Sequence, residues 1–87
     1  ARKQEIQAAH DQWEKAKAAE ALMKATYMRI DRLYKQGVMS QQKRDEIYTK
    51  YKAAKYDSNA AKQMAVMATE GARVEVKEAA SAQERVY

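Results

Sequence analysis

Eighty-seven residues with 33% charged side chains and a mean hydropathy of −0.88 hold too little apolar material for a wide globular core, so one domain with a thin core is the most that fits. Proline and cysteine are absent and glycine occurs twice, which removes disulfides and thiolate metal sites and leaves Ala, Lys, Glu, Gln and Met to favour helix. The net charge of +5 divides at Gly37 into eight basic and five acidic residues before it, then nine and seven from it onward, interleaved in both halves. A spread of that kind argues against nucleic acid, whose binding calls for a concentrated basic stripe.

The chain opens Ala-Arg-Lys, with no initiator methionine, no signal-peptide core and no apolar run near the roughly 20 residues that a bilayer span needs. It reads as a piece of something longer. The first helix is expected from about residue 2 to about residue 36. Ile6, Ala9, Trp13, Ala16, Met23, Tyr27, Ile30 and Tyr34 recur in alternating steps of three and four, a heptad seam that Glu20 alone interrupts.

Next comes a polar turn, Lys35-Gln36-Gly37-Val38-Met39-Ser40. Gly37 can take the positive φ that ends a helix, and the Ser40 hydroxyl can accept from the free amides that open another. The expected fold is all-α: a long antiparallel two-helix coiled-coil hairpin, with the turn at 37–40 and the second helix over about 41–85. Its seam is expected at Ile47, Tyr51, Ala54, Ser58, Ala61, Ala65, Ala68 and Ala72.

Folding the two seams about the bond between Val38 and Met39 pairs residues whose numbers sum to about 77. Ile30 then meets Ile47, Tyr27 meets Tyr51, Ile6 lies near Gly71, and Trp13 lies over Met64 among Ala61, Ala65 and Ala68; large residues face small ones. Gly71, inside a helical pattern, marks a bend or a close contact, and the helix is expected to run through it. Beyond Val76 the pairing rule has no partner left, so the last ten or so residues are expected to fray or to borrow a neighbouring chain.

Across the turn, Arg29, Leu33 and Ser40 fall in the spacing R-x3-L-x6-S, within the stretch from Tyr27 to Glu46. That stretch resembles the hairpin tip of the periplasmic adaptors, or membrane fusion proteins, of the HlyD-like type, and the segment from Gly71 to Ala80 resembles part of their descending helix. The resemblance implies a transport module in the periplasm of a Gram-negative bacterium, its parent protein anchored to the inner membrane. It implies docking on an outer-membrane TolC-type channel through Arg29, Leu33 and Ser40, with Arg32, Gly37, Val38 and Met39 at the same end. It further implies an inner-membrane ABC or RND-type transporter as a partner of the parts that are missing here, and assembly of the full-length protein as a homo-oligomer, trimer or hexamer. The alternative is a general coiled-coil interaction module of a scaffold or regulatory protein.

Chemistry of its own is not expected. His10, the one histidine, is expected on the outer face of the first helix near Asp11 and Glu14, short of the convergent ligands a metal site or general base requires; neither enzyme nor cofactor is expected. Met23 and Met64 are expected to fill gaps in the seam, while Met39 is expected to be exposed at the turn and available for docking. Tyr27 and Tyr51 are expected in the packing, with Tyr34 and Tyr48 divided between packing and binding.

Overall fold

The computed structural model is an all-α hairpin of two helices, α1 (Arg2–Lys35) and α2 (Gln41–Val86), packed against each other as an antiparallel coiled coil. It describes residues 2–86, with side chains for 2–71 and for Arg73. The hairpin measures 75 × 17 × 14 Å. Two helices side by side account for the narrow dimensions, and the rise of about 1.5 Å per residue accounts for the long one.

A seam one residue wide on each helix forms the core. Ile30, Ile47, Ala65 and Ser58 are buried, and Ala65 is wholly enclosed at 0% exposure. The remaining expected seam residues of α1 are half-buried, Glu20 among them, as are Tyr51, Ala54, Ala61 and Ala68 of α2. The side chain of Ala72 lies outside the described residues, as do those of the segment from Val74 to Tyr87. Burial of Ile30 and Ile47 contributes on the order of 2 kcal/mol each.

Contacts across the seam keep the expected register. The rings of Tyr27 and Tyr51 stack at 5.9 Å and 12°, Asp31 reaches Arg44 at 3.7 Å, and His10 meets Thr69 at 3.3 Å. Ser58 and Ala65 are small and let α1 approach closely, so Trp13 can lie half-buried at the level of Ala65.

Three expectations are corrected. Met64 is 63% exposed and sits on the rim of the seam, not under Trp13, because Ala61 and Ala65 already occupy the inward positions of that turn. His10 is half-buried at the edge of the interface, where its ring lies 6.2 Å from that of Trp13. At Gly71 the helix runs through as expected, and only the close contact is corrected, since a Cβ added there meets nothing within 4 Å.

Two substitutions test this packing by thermal or urea unfolding. Ala65→Leu should destabilise by about 1–3 kcal/mol through overpacking at the enclosed position. Gly71→Ala should instead stabilise by roughly 0.5–1 kcal/mol, since the added methyl meets open space and restricts the unfolded chain.

Candidate docking site at the hairpin tip

α1 ends because its backbone turns left-handed at Gly37, where φ is +80°. The Gly37 amide donates to the Tyr34 carbonyl at 3.0 Å and the Val38 amide to the Leu33 carbonyl at 2.9 Å, the paired bonds of a Schellman motif. Gln36 donates to the Arg32 carbonyl at 3.1 Å, so the carbonyls of Arg32, Leu33 and Tyr34 are satisfied before the chain reverses. Arg32 and Lys35 in the last turn oppose the negative end of the helix dipole.

α2 begins on Ser40. Its hydroxyl oxygen accepts from the Lys43 amide at 3.1 Å and its carbonyl accepts from the Arg44 amide at 3.1 Å, which makes it the N-cap. Lysine at the third helical position leaves this cap without the reciprocal bond that a Glu or Gln there would supply.

Behind the turn a polar cluster ties the helices together. Asp31 accepts from Lys35 at 3.1 Å and faces Arg44 at 3.7 Å, while the Arg44 guanidinium lies 4.6 Å from the centre of the Tyr34 ring and bonds the Asp45 carboxylate at 3.0 and 3.2 Å. The bond to Asp45 holds Arg44 above its ordinary range, so it stays charged. Further from the tip, the Tyr48 ring, one turn beyond Arg44, lies 5.1 Å from that of Tyr27, and Tyr48 raises Lys52 by hydrogen bonding to it.

The residues expected to dock do not all occupy one surface. Arg29 and Leu33, four apart on α1, share a face; Arg29 is exposed and Leu33 half-buried. Val38 is 69% exposed at the apex, and its amide donates to the Leu33 carbonyl, which places the two apolar residues at the same end of the rod. Arg32, three residues after Arg29, is exposed as well. The Ser40 hydroxyl is committed to the cap, and Met39 is half-buried where an exposed residue was expected. Sequence reasoning missed Arg44 and Asp31, whose numbers satisfy the same pairing rule and could have been found by applying it to charged residues as well as apolar ones.

No group of three or more histidine, cysteine or acidic side chains placed to hold a metal occurs among the described residues. No described helix is long and apolar enough to cross a membrane.

Over 83 residues, 95% of its length, the chain is 47% identical to the 36 kDa antigen of Helicobacter pylori, in strain 26695 and equally in strain J99. It spans about a quarter of the length of these curated relatives, 25% in each case. No family model matches it, and neither does any solved structure.

The tip geometry gives two stability expectations readable by circular dichroism on heating. Gly37→Ala should cost about 1–2 kcal/mol through backbone strain alone, because a Cβ there meets nothing within 4 Å. Ser40→Ala should cost about 1 kcal/mol, and Ser40→Asp, which restores a cap, should recover it.

Proposed function

We propose that this hairpin is the periplasmic arm of a membrane fusion (adaptor) protein of the HlyD-like type, which bridges an inner-membrane ABC or RND-type transporter to an outer-membrane TolC-type channel. It performs no chemistry; it holds a docking surface at a set distance. The observation that carries this reading is the separation of tip from seam. Leu33 and Val38 lie on the tip side of Ile30 and Ile47, the last buried layer, and Arg29 is exposed beside that layer, so none of the three belongs to the buried seam. Leu33 serves the turn through its backbone carbonyl, which leaves its side chain available to a groove on a partner. The Arg29 guanidinium can donate to carbonyls or carboxylates beside that groove.

In the relatives, the corresponding segment is a quarter of a longer chain, and the adaptor reading assigns transporter contact and ring assembly to parts outside it. Trimeric or hexameric assembly would then multiply a weak single-tip contact into firm engagement of one channel. The second reading, a coiled-coil interaction module of a scaffold or regulatory protein, draws on a different surface. An alanine-lined groove of about 430 Å³ runs between Ala16 and Ala19 of α1 and Ala54, Ala60 and Ala61 of α2, with exposed Met64 on its rim.

Hairpins tethered as trimers and hexamers, presented to a purified TolC-type channel, separate the two readings. Leu33→Asp should abolish capture while lowering stability by less than about 1 kcal/mol, the cost of an acid near a helix C-terminus. Capture unaffected by Leu33→Asp, or no capture by folded multimers, would transfer support to the scaffold reading.

A further inference from the structure

We propose that the flank of the hairpin marked by His10 and Thr69 binds an acidic amphipathic helix of a partner protein, one whose carboxylates recur every seven residues. The Thr69 hydroxyl donates to the Ala65 carbonyl at 3.0 Å, so its oxygen is left to accept from His10 Nε2, 3.3 Å away. This contact joins the two helices along one edge of the seam. Moving along each helix by one heptad places Lys17 opposite Lys62, and a second heptad places Lys24 opposite Lys55. Lys52 joins them, its ammonium 5.5 Å from the centre of the Tyr48 ring.

Charge that alternates along the sequence is therefore gathered around the rod. Lys17 pairs with Glu14 at 2.8 Å, whereas Lys24, Lys55 and Lys62 make no ion pair among the described residues. Positions flanking a coiled-coil seam ordinarily carry opposite charges across it, and like charges there oppose the fold. Two consecutive lysine pairs thus conflict with a seam that is otherwise consistent, and such conflicts mark sites kept for something other than folding.

A third helix lying along this edge resolves the conflict. Lysines seven residues apart repeat about every 10.5 Å along the axis, the interval at which carboxylates seven apart recur on any α-helix. Met28 and Val66, each four residues beyond a lysine of the set, are 56% and 42% exposed and offer that helix apolar contact. A second copy of this chain does not supply the ladder, because no two of its acidic residues are seven apart.

The test uses a synthetic helical peptide with Glu at every seventh position and a control of equal composition with irregular Glu spacing. Binding to the hairpin is followed by calorimetry and by the fluorescence of Trp13, which lies 4.3 Å from the Lys17 ammonium on this edge. The regular peptide should bind at least about 10-fold more tightly than the control, and the combined Lys24→Gln, Lys55→Gln and Lys62→Gln variant should lose about 10-fold. Glutamine keeps the helix propensity, and circular dichroism verifies the fold of the variant. As a second measurement, Lys55→Glu should raise the unfolding temperature of the free hairpin by pairing with Lys24. Equal binding of the two peptides overturns the proposal, as does unchanged binding by the triple variant or a fall in unfolding temperature with Lys55→Glu. Tighter binding of a single-stranded oligonucleotide or of phosphatidylglycerol vesicles than of the regular peptide also overturns it, and would reassign the edge to phosphates.

Discussion

The reversal at Gly37 sets the register in which the two helices meet, and the packing, the tip and both flanks of the rod follow from that register. Two amides bond back to Tyr34 and Leu33, and only three residues separate Gly37 from the first residue of α2, so the connection has little slack to shift. Any slip of one helix against the other would move Ile30 off Ile47 and expose residues that nothing else covers. Strain at a left-handed residue is avoided because glycine has no Cβ, which makes a single position decide the geometry of a 75 Å object.

From the turn outward, the helices are held by a seam that narrows in side-chain volume. Near the tip it consists of isoleucines and stacked tyrosines, and toward the far end α2 presents Ser58, Ala61, Ala65 and Ala68. Small residues bring the backbones together and bury little area each, so length replaces width as the source of cohesion. The consequence for function is a division of labour. Seam residues maintain the rod, and what projects from the tip or flanks is free to meet a partner without unfolding it.

Much of this was legible in one dimension. The three-and-four spacing from Ile6 to Tyr34 and from Ile47 to Ala68 identified the inward positions, and the Gly37 and Ser40 signals identified the break, because each depends on residues close in sequence. Glu20 shows how firmly the period holds: it stays at the interface although it interrupts the apolar pattern. What escaped was angular. Met64 makes the sum of 77 with Trp13 and so looked inward, yet the inward position of that turn belongs to Ala65. Met39 and His10 went astray for the same reason, since a residue beside a seam is told from one outside it only once the partner helix is in place. The lysine edge is the largest such case, because counting charges along the chain cannot show that Lys24 and Lys55 share one side of the rod.

The antiparallel register within a single chain is the claim on which the rest stands, and cross-linking tests it most directly. The chain has no cysteine, so a pair introduced as Ala16→Cys and Ala61→Cys reports on that register alone. A closed hairpin with this register predicts rapid oxidation to an intramolecular disulfide in a monomer, and slow oxidation when the second cysteine is placed at Lys55 or Met67 instead. Equal rates at all three positions, or disulfides formed only between chains, would contradict it and replace the hairpin with helices that pair across molecules.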